Sequence, residues 1–238
     1  MTELIVTSTE MLTPTLRRVW FRSPDLSAFA GSSDTDCYVK LQLPDAVRTY
    51  TALFPDIEAG TLAIEFVVHG DEGVAGPWAA AAQPGDTLSV RGPGGGYSPD
   101  PTADWHLLVG DEAAVPAIRA ALDALPAGAS ARVLVLVDSA DHEPELALPT
   151  GAELTWLHRT AGDVLERAVR ELEWLPGRVH AFVHGEAEEV MHGLRPYLLG
   201  ERGLARDQVS VSGYWRRGRT EEAFRVWKSE LAAAEGGR

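Results

Sequence analysis

The feature that most constrains the fold of this chain is a change in its sequence pattern near residue 100. Before that point, short strand-like stretches alternate with clusters of turn-forming residues. The predicted strands are residues 17–22, 38–43, 48–53, 61–68 and 87–91. Several short strands at this spacing predict a small antiparallel barrel or sandwich. A short helix that begins at Pro77 is predicted to interrupt the barrel.

Beyond residue 100, predicted strands alternate with predicted helices. The strands are residues 106–109, 132–137, 153–157, 179–184 and 209–214. The helices are residues 113–125, 163–172 and 186–199, followed by a terminal helix capped by Thr220. This alternation, with the apolar run RVLVLV at 132–137, predicts an open parallel sheet covered on both faces. Glycine and proline clusters at 92–96 and 98–102 indicate domains 1–99 and 100–238.

Charge and cysteine content restrict the possible partners. The formal net charge of −14 argues against nucleic acid, because phosphate binding needs a basic surface. The chain has no run of about eighteen apolar residues and no basic, apolar start, so neither a membrane span nor a signal peptide is predicted. Cys37 is the single cysteine, which rules out an internal disulfide and a CxxC motif. We therefore expect a cytoplasmic protein, and a monomer.

The tetrapeptide Arg48-Thr49-Tyr50-Thr51 lies in a predicted strand, so Arg48 and Tyr50 share one face and Thr49 and Thr51 the other. These residue types suit a flavin cofactor. A guanidinium binds a pyrophosphate with two parallel hydrogen bonds, a phenol ring can lie against the isoalloxazine, and a threonine hydroxyl can reach its redox-active nitrogen. An ordinary strand with a surface arginine is the competing interpretation.

A second candidate element for the cofactor is the predicted helix start. His69-Gly70 precedes it, and Pro77-Trp78-Ala79 opens it, with proline at a favoured first position. A helix N-terminus exposes N–H groups and a partial positive charge, which suit a pyrophosphate. A plain helix start is an equally good reading of these residues.

The turn Gly110-Asp111-Glu112 follows the first strand of the second half, where open α/β sheets bind ligands. It is not a GxGxxG fingerprint. Two acids there would repel a phosphate unless they cap the helix or bind ribose hydroxyls. The alternative to a ligand site is an ordinary capped helix start.

The segment from Tyr214 to Arg219 follows the last predicted strand. Tyr214, Trp215 and Arg216 are candidates for the nicotinamide side of a cofactor site. Arg217 and Arg219 complete the densest basic cluster in the chain and are candidates for an anionic substrate. A basic hairpin beside a solvated helix is the competing interpretation.

Two other patterns carry no site. Gly94-Gly95-Gly96 lacks the lysine and hydroxyl residue of a phosphate loop and is interpreted as a linker. His180 and His184 lie on one predicted strand, about 13 Å apart, so they cannot share a metal ion.

Together these segments resemble the siderophore-interacting protein family of flavin-dependent ferric-siderophore reductases. The resemblance runs nearly end to end and rests on residues 12–19, 36–41, 48–51, 69–70, 76–79, 110–118, 185–186 and 213–218. It implies a six-stranded antiparallel FAD-binding barrel followed by a parallel α/β domain that binds NAD(P)H, as in ferredoxin-reductase-like flavoenzymes. Three departures stand out. Leu53 stands where the family usually has a second arginine of the flavin motif. Ala113 stands where a threonine is common in the nucleotide-domain signature. The stretch between Leu41 and Arg48 is also short.

The resemblance implies an oxidoreductase that passes electrons from NADPH or NADH through FAD to a ferric siderophore and releases ferrous iron. The flavin carries the chemistry, so no catalytic side chain and no resident metal are expected. A flavin reductase of another acceptor, such as a quinone or a protein, remains an alternative, as does a non-catalytic flavin-binding module. His158-Arg159, at a strand end, is either a contact for the 2′-phosphate of NADPH or a solvated turn.

Overall fold

The structure, a computed structural model, describes residues 1–44, 46–68 and 73–218. The prediction of a terminal helix capped by Thr220 lies outside these residues. No helix in the described ranges is both long and apolar enough to cross a bilayer.

The first half of the chain folds into a closed antiparallel barrel of six strands, as the resemblance implied. In spatial order the strands run β1-β2-β5-β4-β3-β6. Their bounds are β1 Thr2–Thr13, β2 Leu16–Arg22, β3 Tyr38–Leu43, β4 Ala46–Asp56, β5 Thr61–Val67 and β6 Thr87–Gly94. A helix, α1 (Ala75–Ala81), connects β5 to β6. Apolar side chains from all six strands and from α1 fill one core.

The first strand was not predicted from its own sequence pattern. Only Leu4, Val6 and Thr13 of β1 are buried, so its twelve residues show no sustained alternation. Residues 12–19, which resembled an opening strand, instead contain the end of β1, a turn at Pro14 and Thr15, and the start of β2. The proline lacks the N–H that a continuing strand would need, which favours the turn.

The interpretation of Gly94-Gly95-Gly96 as a linker is wrong for Gly94, because the glycine and proline cluster at 92–96 begins inside a strand. Gly92, Pro93 and Gly94 belong to β6, and Gly94 pairs with Tyr38 across the barrel. A Cβ on Gly94 would lie 2.6 Å from Cζ of the Tyr38 ring, so any larger residue there would have to displace that ring. The linker therefore begins at Gly95, and the domain boundary at 99/100 stays a prediction.

The second half forms a five-stranded parallel sheet in the order β11-β10-β7-β8-β9. The strands are β7 Trp105–Asp111, β8 Ser130–Val137, β9 Ala152–His158, β10 Val179–Glu186 and β11 Val209–Trp215, with helices α2 Val115–Ala124 and α3 Leu165–Glu171. The prediction for RVLVLV is confirmed: Val133 and Val135 face one core, and Leu134 and Leu136 face the other.

The helix predicted at 186–199 begins later than expected and has π geometry. The helical segments are Glu188–Leu194 and Tyr197–Glu201. Glu186 is the last residue of β10, and its side-chain Oε2 accepts the N–H of Glu189 at 3.0 Å. A carboxylate in this position satisfies an N–H at the start of the helix and so ends the strand before it.

The barrel and the sheet domain share a buried interface. Leu16 and Val67, on the outer face of the barrel, pack in the same apolar cluster as residues of α2 and the sheet. Nearby, the side chain of Glu65 is fully buried between Arg18 of β2 and Arg119 of α2. The Oε1 atom of Glu65 lies 2.5 Å from Arg18 Nη2 and 3.2 Å from Arg119 Nε. One carboxylate thus joins the two domains.

Replacing Glu65 with glutamine should lower the free energy of unfolding by about 3 kcal/mol. The variant leaves two largely buried guanidinium groups without their shared counter-charge, and breaking a buried ion pair typically costs this much. The control is Glu153→Gln, which removes an exposed carboxylate 3.1 Å from Arg132 and should cost less than about 1 kcal/mol. Urea denaturation measures both changes; equal losses would contradict the assignment.

Candidate functional site

Strand β4 presents the predicted flavin residues on two faces, as its alternation required. Tyr50 packs against Phe66 with ring centroids 4.7 Å apart, and Phe66 contacts Trp78 of α1 at 5.7 Å. The half-buried Arg48 lies on the same face of β4 as Tyr50. The structure therefore connects the motif strand to the helix that was predicted to hold the pyrophosphate.

Helix α1 begins at Ala75, so the prediction of a start at Pro77 is wrong by two residues. The N–H of Trp78 already donates to the carbonyl of Val74 at 3.2 Å. The N–H groups that a first helical turn leaves without an intrahelical partner are therefore those of Ala75 and Gly76. The side chain of Ala79 is buried in the barrel core and offers a ligand no contact. His69 and Gly70 lie outside the described residues.

The other face of β4 is turned toward the sheet domain. The hydroxyl of Tyr214, near the end of β11, lies close enough to the side chain of Thr51 to interact with it. Burial of this phenol raises the pKa of Tyr214. The flavin motif and the last strand of the sheet are thus in direct contact.

Leu53 shares this outer face of β4. It pairs with Ala63 of β5 and is only 1% exposed. Helix α2 packs against β4 on the same side. The residue that replaces the second motif arginine therefore lies in the domain interface and faces away from Tyr50 and Arg48.

Asp111 is the most unusual of the predicted residues. Its carboxylate is 2% exposed and accepts three N–H groups: Ala113 at 3.0 Å, Glu186 at 2.9 Å and the indole of Trp215 at 2.7 Å. Burial, reinforced by the nearby charge of Glu112, raises the pKa of Asp111 to about 7 despite these donors. Asp111 neither faces solvent nor caps α2 alone; it joins the carboxyl ends of β7, β10 and β11.

The basic segment after β11 is less available to ligands than its sequence suggests. The guanidinium of Arg216 lies 2.6 Å from the carboxylate of Glu188. Arg217 is exposed, and its backbone N–H donates to Glu186 Oε1 at 3.0 Å. Arg219 lies outside the described residues.

Two basic residues that the sequence analysis did not select lie beside the motif. Lys40 of β3 pairs with Thr49 of β4 on one side and with Arg91 of β6 on the other, and both cations are exposed. They share the outer face of the barrel with Thr51, which lies two residue pairs further along the strands. The alternating pattern of β3 indicates that Lys40 faces outward. Its position beside Arg91 follows only from the pairing of β3 with β6 in the closed barrel.

The two histidines of β10 have structural partners. His180 Nδ1 accepts the N–H of Asp100 at 3.0 Å, and His184 Nε2 lies 2.9 Å from Ser210 Oγ. Across residues 1–44, 46–68 and 73–218, no three or more His, Cys, Asp or Glu side chains are grouped as a metal site requires.

The pKa of Asp111 leads to a stability prediction. Because this pKa lies above its ordinary value of 3.8, the folded protein holds a proton that the unfolded chain has lost between pH 3.8 and about 7. The free energy of unfolding of the native protein, relative to Asp111→Asn, should therefore be highest below pH 3.8 and fall as pH rises to 7. The fall should be on the order of 4 kcal/mol.

Urea denaturation of both proteins across this pH range measures the difference. Other titrating groups are shared by the two proteins and cancel. Parallel stability curves for the two proteins would contradict a raised pKa at Asp111.

A closed six-stranded barrel whose motif strand touches the edge of a parallel sheet is the arrangement of the ferredoxin-reductase-like fold. The donors present fit FAD: Arg48 supplies a cation, the half-buried Tyr50 an aromatic ring, and α1 the N–H groups of its first turn. The fold is similar to that of the ferredoxin reductase in carbazole 1,9a-dioxygenase, with a TM-score of 0.71 and 17% identity, covering 90% of this chain and 69% of that one. At this identity the likeness shows the fold alone.

Comparison with known sequences identifies the family. Residues 103–218 match the family described as siderophore-interacting protein, and residues 45–97 match its siderophore-interacting FAD-binding domain. The ferric vibriobactin reductase ViuB of Vibrio cholerae is 39% identical over 74% of this chain and 67% of its own length. A siderophore utilization protein from T. fusca superposes with a TM-score of 0.78 at 38% identity, covering 92% of this chain and 93% of that one. The chain belongs to the siderophore-interacting protein family, and the expected FAD is supported by its FAD-binding domain.

Proposed function

We propose that this protein is an NAD(P)H-dependent flavin reductase that reduces a bound ferric siderophore. The observation that carries the proposal is the contact between Tyr214 and Thr51, because it joins the flavin-motif strand to the edge of the sheet at which nucleotides bind. The name of the ViuB relative, a ferric vibriobactin reductase, supports the same class of acceptor. A need for reduced nicotinamide is consistent with the expected cytoplasmic location.

Each part of the site has a proposed task. Arg48 holds the cofactor phosphates together with the first turn of α1, and Tyr50 and Thr51 position the ring. Residues 69–70 are proposed to assist at the phosphates. FAD, when bound, supplies the redox chemistry, since it accepts a hydride and can release electrons singly. Ferrous iron has the lower charge, so hard oxygen ligands hold it less tightly and it is released.

The nicotinamide side is formed by the edge of the parallel sheet. Residues 110–112 and 214–216 are proposed to line it. Asp111 does so indirectly, because its hydrogen bonds fix the indole of Trp215 and the backbone of Glu186. The Tyr214 hydroxyl, beside Thr51, closes the boundary between this edge and the barrel.

Anaerobic rapid mixing tests the proposal. The purified protein should show a flavin absorbance spectrum that bleaches on addition of NADH or NADPH. It should then recover when a ferric siderophore is added, with ferrous iron captured by a chromogenic chelator. A flavin that neither coenzyme bleaches would indicate a non-catalytic flavin-binding module. Recovery with a quinone but with no ferric chelate would indicate a different acceptor.

Arg48→Ala should weaken FAD binding roughly ten- to a hundredfold. The variant removes a charge-assisted hydrogen bond of a kind worth about 1.5–3 kcal/mol. Arg132→Ala is the control, because Arg132 lies near the amino end of β8 beside the exposed Glu153 and should leave FAD affinity unchanged. Titration of each apoprotein with FAD measures the affinities. An Arg48→Ala protein with unaltered affinity would remove Arg48 from the cofactor site.

A double replacement of Lys40 and Arg91 by alanine should raise the KM for an anionic ferric chelate severalfold. These exposed cations lie beside the motif strand in a chain of net charge −14, so they are the groups that can attract such a substrate locally. Replacing Arg217 and Arg219 with alanine tests the basic cluster predicted from the sequence in the same way. Flavin reduction by the nicotinamide should be nearly unchanged in both variants.

Steady-state kinetics at low and high salt measure this effect, which should shrink as salt screens the charges. If one of the two double variants binds the nicotinamide more weakly but reduces the chelate with unchanged kinetics, its two basic residues bind the coenzyme and not the chelate.

A further inference from the structure

Three neighbouring strands of the parallel sheet end in charged residues that meet. Glu112 follows β7, Asp138 follows β8, and Arg159 follows β9. The order of the strands reverses between β7 and β10, so the nucleotide crevice of such a sheet lies at this edge. In doubly wound sheets an acidic residue beyond the first strand binds the ribose 2′-hydroxyl of NAD, whereas an arginine there accommodates the 2′-phosphate of NADP.

Arg159 is held by both carboxylates. Its two terminal nitrogens form a paired interaction with Glu112, in which Nη2 lies 2.8 Å from Oε2 and Nη1 contacts Oε1. The same Nη1 lies 3.0 Å from Asp138 Oδ1. The Arg159 side chain is 24% exposed, whereas that of Asp138 is 54% exposed. The solvent-facing group of this trio is thus a carboxylate, and the trio carries a net negative charge.

The neighbouring polar groups are also engaged. His158 Nε2 lies 2.7 Å from Glu143 Oε1, and the hydroxyl of Thr160 donates to the Asp138 carbonyl at 2.9 Å. A dianionic 2′-phosphate at this edge would meet Asp138 and would have to compete with Glu112 for the guanidinium. A ribose diol would instead donate a hydrogen bond to the exposed carboxylate.

We infer that Asp138, with Glu112 holding Arg159, selects NADH over NADPH as the reductant of this protein. The inference rests on the proposed function in that it names the coenzyme of that reaction. It also decides between the two readings of His158-Arg159: the arginine positions an acidic ribose site and does not bind a phosphate.

Rates of flavin reduction with each coenzyme test the inference on the FAD-loaded protein. The native protein should show a kcat/KM for NADH at least tenfold above that for NADPH. Asp138→Asn should narrow this ratio about tenfold, chiefly by lowering the KM for NADPH. The matched control, Glu153→Gln, makes the same carboxylate-to-amide change beside an arginine near the opposite end of β9 and should leave the ratio unchanged.

A binding measurement separates this inference from the proposed function. Calorimetric titration of the FAD-loaded protein with 5′-AMP and with 2′,5′-ADP compares two ligands that differ by the 2′-phosphate alone. Tighter binding of 5′-AMP, with the preference reduced in Asp138→Asn, supports the inference even if neither coenzyme reduces the flavin. A preference for NADPH or 2′,5′-ADP, an unchanged ratio in Asp138→Asn, or no binding of either nucleotide would overturn it.

Discussion

The site depends on one buried carboxylate. Asp111 accepts hydrogen bonds from the backbone after β7, from the end of β10 and from the indole at the end of β11. Parallel strands are joined to one another only along their ladders, so nothing in the sheet itself fixes how their carboxyl ends are arranged beyond the last pair. Asp111 supplies that arrangement. It thereby fixes Trp215, and with it the adjoining Tyr214, which reaches across to Thr51 of the barrel.

This dependence explains why a carboxylate is tolerated where burial makes its charge unfavourable. An apolar residue at the position of Asp111 would leave the Glu186 N–H and the Trp215 indole N–H without their acceptor. Unsatisfied buried donors cost about 1–3 kcal/mol each. The carboxylate satisfies them, and the raised pKa measures the electrostatic cost of doing so.

Local patterns predicted the elements of the fold well, whereas the contacts between distant segments had to come from the structure. Period-two alternation correctly divided Tyr50 from Thr51, and the apolar run of β8 correctly indicated a sheet covered on both faces. The long β1 escaped detection because few of its side chains are buried. Lys40 meets Arg91, and Glu112 meets Arg159, only through the topology of a closed barrel and a parallel sheet.

The pairing of basic side chains differs between the carboxyl edge of the sheet and the outer face of the barrel. On the sheet edge, the guanidinium groups of Arg159 and Arg216 are already bound by carboxylates. On the barrel face, Lys40 and Arg91 have no carboxylate partner within the described residues and lie side by side. Under the proposed function, a phosphate at the sheet edge would have to displace an existing carboxylate. An anionic chelate at the barrel face would instead meet two exposed cations. On this proposal the arrangement of a few ion pairs, more than the total charge, determines which anionic ligand each of the two surfaces accepts.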